Sequence, residues 1–213
     1  MQFPASLRLA LVAPLLVLLA ACGGSTEPPQ DTVPVADLMA PQALPDNAIG
    51  DPDAPVTIVE YASMTCPHCA TFHNEVFAEF KATYIDTGQV YFVFREFPLD
   101  AVAAAAAALA RCAPGGSEGY LAMVEILYQT QSAWSRAEDV AAALQAIGAQ
   151  AGITPAQFEA CLSNQATVDA IYAVHDRGIE FGVNATPTFF VNGARYPGVV
   201  AMDRWATILE PLL

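Results

Sequence analysis

The chain has 213 residues, 54% of them hydrophobic, with 8 Lys plus Arg against 22 Asp plus Glu and a formal net charge of −14. The apolar fraction excludes a disordered chain and is ample for one well-packed core. No basic cluster occurs that could neutralise phosphates, which excludes nucleic acid as a partner.

Residues 1–21 read as a signal peptide, because Arg8 precedes LALVAPLLVLLAA, an apolar run too short to span a bilayer comfortably. Leu19-Ala20-Ala21-Cys22 resembles the lipobox of bacterial lipoproteins, which implies cleavage before Cys22 and acylation of its sulfur and new N-terminus. Acyl chains, at about 0.8 kcal/mol per buried methylene, would anchor the chain durably. Loss of Arg8 with the leader makes the remainder one unit more negative, a surface that repels anionic lipid. Residues 22–48 then comprise the lipidated Cys and a tether with five prolines and no sustained periodicity, too short for a second domain.

Three further segments are expected: 49–99, 100–182 and 183–213. In the first, Val56 to Tyr61 is rich in β-branched residues and reads as a strand. After Thr65-Cys66-Pro67-His68-Cys69, the residues Phe72, Val76 and Phe80 recur every fourth position, an amphipathic helix whose buried stripe extends back through Cys69 and leaves Cys66 at the tip. Val90 to Phe97 reads as a second strand, apolar on both faces and therefore central. From Asp100 to Gly182 the pattern is helical, with a six-alanine run at 103–108 and capping boxes at Ser135–Glu138 and Thr154–Gln157, giving four to five helices. In the third, Thr188 to Val191 is a strand, Asn192-Gly193 a hairpin turn, Ala194 to Tyr196 a strand, and about Met202 to Leu212 a helix.

With Cys22 assigned to lipid, four cysteines remain, and four permit three pairings. An exported chain meets an oxidising compartment, where disulfides persist. The economical pairing is Cys66 with Cys69, whose spacing closes a small ring at a helix start, and Cys112 with Cys161 as the structural disulfide. Linking the latter closes a loop of about 50 residues, worth roughly 4 kcal/mol in the loop-entropy model. A zinc site needs four ligands, usually in two close pairs, whereas Cys112 and Cys161 lie far apart in sequence, so no metal is expected.

The element order resembles an α/β thioredoxin fold with an inserted all-helical subdomain. Glu60 near the end of the first strand, CPHC opening a helix, the helical insertion, and Ala185-Thr186-Pro187-Thr188-Phe189 before the next strand resemble the DsbA-like family of exported thiol:disulfide oxidoreductases over about residues 48–213. A thiolate at a helix tip meets the positive end of the macrodipole and unpaired N–H groups, so Cys66 is expected to be the nucleophile and Cys69 the resolving thiol. His68 and Pro67, between the cysteines, would tune them. The resemblance implies that Glu60 helps Cys69 exchange its proton, and that Pro187 is a cis proline offering the Thr186 backbone to an extended substrate.

What the resemblance implies for function is disulfide donation to unfolded or reduced exported proteins by a monomer, periplasmic and membrane-anchored, with a membrane redox partner for reoxidation and no cofactor. DsbA itself carries Val before this proline, whereas isomerases and other oxidases of the family carry Thr, so an isomerase or a reductase kept reduced by a membrane donor stays open. A metal-carrier lipoprotein using Cys66, Cys69 and His73 is the rival from a different class, and a redox-inert lipoprotein a third. His73, His175, Trp134 and Trp205 are expected to serve packing.

Overall fold

A computed structural model describes residues 31–213. After a one-turn helix, α1 (Val35–Leu38), the chain builds a five-stranded sheet from β1 (Asn47–Ile49), β2 (Val56–Ala62), β3 (Val90–Glu96), β4 (Thr188–Val191) and β5 (Ala194–Pro197), in the order β1-β3-β2-β4-β5. β2 and β3 run parallel, and the other neighbouring pairs are antiparallel. Parallel neighbours need a crossover. Residues 67–85 supply it as one helical run: α2 (Pro67–Thr71), a π turn (Phe72–Val76), α3 (Phe77–Phe80) and a second π turn (Lys81–Ile85). Asn192 and Gly193, both at positive φ, make the tight β4–β5 hairpin read from the sequence.

Between β3 and β4 lie six helices: α4 (Ala101–Arg111), α5 (Gly116–Gln129), α6 (Gln131–Trp134), α7 (Val140–Gln150), α8 (Pro155–Leu162) and α9 (Gln165–Glu180). The expected count of four to five falls short because α6 is a single turn without a periodic pattern of its own. The helix expected to start at Ser135 starts instead at Val140, where the Asp139 side chain accepts from the Ala142 N–H. A carboxylate one residue before the helix caps it as well as the Ser-x-x-Glu pattern could. The Thr154–Gln157 capping box forms as read, with Pro155 in the first turn. Near the C-terminus, α10 (Met202–Leu209) gives way to a 3₁₀ turn at Glu210–Leu212, where Pro211 interrupts the helical ladder.

Strand alternation divides the core. Val59, Tyr61, Val93 and Phe190 face one side with Leu38, Phe97 and Val174. Ile58, Phe92, Phe94, Phe189 and Val191 face the other, against Cys69, Phe72, Phe80 and Trp205. Glu60, two residues after Ile58, necessarily shares that second face and lies under the helix that carries the cysteines. On the first face α9 comes so close that a Cβ on Gly178 would sit 2.9 Å from the Tyr61 ring.

The reading of residues 22–48 as a tether fails over 31–48. Asn47–Ile49 adds an antiparallel edge strand to β3, Leu38 is fully buried, and the Arg95 guanidinium grips both Asp46 oxygens at 2.8 Å and the Leu38 carbonyl at 2.7 Å. Asp31 and Val33 bond β5 and the hairpin. The prolines gave this arm no periodicity, and its isolated apolar residues dock singly. The expected signal peptide, the expected acylation of Cys22 and the expected tether up to residue 30 fall outside the described residues. Among the described residues no helix is long and apolar enough to cross a membrane.

Candidate active site

β2 ends at Ala62 and a short loop, Ser63–Thr65, leads to Cys66, which caps α2 with an extended backbone (φ −76°, ψ 120°) while Pro67 occupies the first helical turn. Pro suits that place because its missing N–H would have no partner there. The loop is held from the helical insertion. Gln131 donates to the Met64 and Cys66 carbonyls at 2.8 and 2.9 Å, the Tyr128 hydroxyl to the Ser63 carbonyl at 3.2 Å, and the Thr65 hydroxyl to Asp100 at 2.7 Å.

Cys66 and Cys69 are both free thiols, so the pair expected to close a ring stands in its dithiol form. Cys66 is 5% exposed and its Sγ lies 3.2 Å from the Thr186 carbonyl oxygen. Its pKa is lowered to about 5, chiefly by a hydrogen bond from the Cys69 thiol, which outweighs the opposing effect of burial. The backbone N–H groups of Cys69 and His68 add to the lowering. Cys69 is fully buried, and burial above all pushes its pKa well up, reinforced by its bond to Cys66 and by the Glu60 charge. One sulfur is held as thiolate and its neighbour as thiol, three residues apart.

The Thr186-Pro187 bond is cis, as the sequence allowed. The loop is pinned by Gly198 N–H donating to the Pro187 carbonyl at 2.7 Å and by the Thr188 hydroxyl donating to the Ala185 carbonyl at 2.7 Å. The His68 side chain is exposed, and it is the backbone of His68 that acts on the thiolate. Cys112 and Cys161 form a disulfide, with Cα atoms 6.2 Å apart, that joins the end of α4 to α8.

Glu60 is fully buried, and both its oxygens bond His73 Nε2, at 3.2 and 3.0 Å. His73, expected to serve packing, does pack, its ring stacked on Tyr128 at 4.5 Å and 13°. It is also the hydrogen-bond partner of the one buried acid beside the dithiol. Its place four residues after Cys69, on the same helical face, was the signal for this. Tyr128, Gln131 and Asp100 were missed as well, being ordinary residues of helices distant in sequence. Trp134 donates to the Leu127 carbonyl, Trp205 is fully buried, and His175 lies against Phe97, all consistent with packing. Among the described residues no group of three or more His, Cys, Asp and Glu side chains is arranged to hold a metal, and His73 Nε2 is committed to Glu60.

Comparison with known proteins places this geometry. The thioredoxin family model matches residues 42–211. A protein of Rickettsia bellii and one of Rickettsia conorii, both provisionally named protein-disulfide oxidoreductases, are each 35% identical, over 70% and 79% of this chain. The chain spans 58% and 60% of the lengths of these two relatives. The crystal structure of Wolbachia pipientis α-DsbA1 superposes with a TM-score of 0.75 at 31% identity, covering 83% of this chain and 94% of that one. BdbD of Bacillus subtilis shares the fold, with a TM-score of 0.69 at 23% identity over 78% of this chain and 92% of its own. The family model and the α-DsbA1 superposition both extend over most of the chain, which carries a dithiol at the head of a helix and a cis proline against it and belongs to the thioredoxin family as one of its DsbA-like members.

Proposed function

We propose that the chain is an exported protein thiol:disulfide oxidoreductase that donates the Cys66–Cys69 disulfide to reduced proteins. The observation that carries this is the opposed state of the two sulfurs, Cys66 lowered to about 5 and Cys69 raised. A substrate thiolate attacks the Cys66 sulfur of the disulfide; an S–S bond to substrate forms, the Cys66–Cys69 bond breaks, and Cys69 leaves and takes up a proton. A second substrate thiolate attacks the substrate sulfur of this mixed disulfide and expels Cys66 as a thiolate. Two substrate thiols are thereby oxidised to one disulfide, and the enzyme disulfide is reduced to a thiolate and a thiol.

Direction follows from which enzyme form is favoured. At pH 7 a thiol of pKa about 5 is stabilised over one near 9 by two tenfold factors, roughly 2.7 kcal/mol or 60 mV in a two-electron couple. This favours the dithiol and makes the disulfide the stronger oxidant. Glu60, buried beside Cys69, is assigned the exchange of the Cys69 proton. The Thr186 backbone is assigned the pairing of an extended substrate segment. Leu99, 56% exposed, is tied to the loop before Cys66 by its N–H donating to Ser63, and Val199, 38% exposed, follows Gly198, whose N–H donates to the Pro187 carbonyl. They would offer apolar contact to an unfolded chain. Export through residues 1–21, acylation of Cys22, a periplasmic site of action, a monomeric state and reoxidation by a membrane partner belong to the same proposal and rest on the sequence alone.

The test is the equilibrium potential of the Cys66–Cys69 pair in graded glutathione buffers, with alkylation as readout. A value near that of DsbA, about −120 mV, supports a donor; one near that of thioredoxin, about −270 mV, turns the assignment to a reductase. Cys66→Ala should abolish transfer, and full activity in that variant would remove the mechanism.

A further inference from the structure

We propose that His73 passes the proton that Cys69 gains or loses, acting through Glu60 and exchanging it with water in the groove beside α5. This rests on the assignment of Glu60 to proton exchange at Cys69 and extends it to a route. Cys69 and Glu60 are both fully buried, so neither meets solvent directly. The His73 side chain is 5% exposed, is bonded by Nε2 to both Glu60 oxygens, and forms part of the wall of a cavity of about 850 Å³. Phe77, Lys81, Leu121, Val124 and Phe94 complete much of that wall. The imidazole thus spans the distance between a buried carboxylate and an open groove, and imidazole is the side chain best suited to give and take protons near neutral pH. Tyr128 stacks on the ring and fixes its plane. The other ionisable groups around the pair are Cys66 and Cys69 from α2, Tyr120 and Tyr128 from α5, and, at the groove, Lys81, Asp51, Asp86, Glu118 and Glu125.

The step is clearest when the reduced protein meets glutathione disulfide. The Cys66 thiolate first displaces one glutathione thiolate and forms a mixed disulfide. The Cys69 thiol then attacks Cys66; the Cys66–Cys69 bond forms, the second glutathione thiolate leaves, and one proton departs Cys69 for Glu60, then His73, then water. The first step moves no buried proton and the second moves one.

Acid-quenched mixing followed by mass spectrometry resolves formation and decay of the mixed disulfide. His73→Gln retains a donor to Glu60 but cannot carry a proton, so decay should slow by about tenfold or more while formation keeps its native rate. In His73→Gly, added imidazole should restore the decay rate. Pyrazole, a ring of the same size and far weaker basicity, should not. Native decay in His73→Gln, or equal rescue by the two rings, overturns the inference. Glu60→Gln separates the two levels: slow decay there with native decay in His73→Gln leaves the Glu60 assignment standing without this one, and native decay in Glu60→Gln removes both. Should the variants not fold, the unmodified protein still decides, since a solvent deuterium effect is expected on decay and not on formation, and its absence from decay refutes the route.

Discussion

Cys69→Ala should raise the pKa of Cys66. The first cause of the low value is the hydrogen bond from the Cys69 thiol, a donor to the Cys66 thiolate. A hydrogen bond to a charged group contributes about 1.5–3 kcal/mol. At about 1.4 kcal/mol per pKa unit, losing it moves the Cys66 midpoint up by one to two units, from about 5 to about 6–7. Admission of water into the space left by the thiol works the other way, which places the expected rise at the lower end. Cys69→Ser supplies a hydroxyl donor in the same place and should keep the midpoint close to native. The assay is thiolate absorbance at 240 nm against pH, with the rate of alkylation as a second readout. In the native dithiol only Cys66 titrates in this window, because Cys69 stays protonated well above it. A midpoint in Cys69→Ala at or below the native value, or equal rises in the Ala and Ser variants, would refute the assignment of the low value to this hydrogen bond.

Three further outcomes are expected. The potential of the Cys66–Cys69 couple should fall by about 30 mV per pH unit above pH 5 and by about 60 mV per unit below it, because the second proton is taken up only below the Cys66 midpoint; a single slope from pH 4 to 8 would contradict that midpoint. The folded pKa of Cys66 lies below its unfolded value, so the stabilisation is fully present above about pH 9, declines as pH falls and is gone below about pH 5; calorimetry of dithiol against disulfide forms should show the dithiol gaining as pH rises through that window. Asp46→Ala leaves the Arg95 charge, its side chain 1% exposed, without its carboxylate, and should lower the urea-unfolding free energy by about 3 kcal/mol while the Cys66 midpoint stays put; a change under 1 kcal/mol would mean that the arm is not held by this pair.

The chemistry of the site was legible wherever it is local. Cys66-Pro67-His68-Cys69 states its own geometry, since a proline after the first cysteine and a β-to-helix boundary fix where each sulfur points. Once the strand is placed, the parity of Ile58 and Glu60 puts the acid on the helix side. What escaped depends on contacts across long separations. Gln131 reaches the Cys66 carbonyl over 65 residues and Arg95 reaches Asp46 over 49, and nothing in the neighbourhood of either residue announces the partner. The arm at 31–48 was missed for a related reason: three strand residues and a single turn of helix are too short for periodicity to show. His73 was visible but underrated, because a histidine among Phe72, Phe77 and Phe94 reads as aromatic packing until its nitrogen is seen on Glu60.

The loop before Cys66 has its fastenings in the helical insertion, and this separates two properties that the CPHC motif would otherwise have to satisfy at once. The motif sets which sulfur reacts; Gln131, Tyr128 and Asp100, on α6, α5 and the cap of α4, set how firmly that sulfur's backbone is kept in place. A substitution far from the cysteines can therefore retune the driving force of the couple while the four motif residues stay the same. Two chains with the same CPHC need not have the same oxidising strength, and the insertion is where to look for the difference.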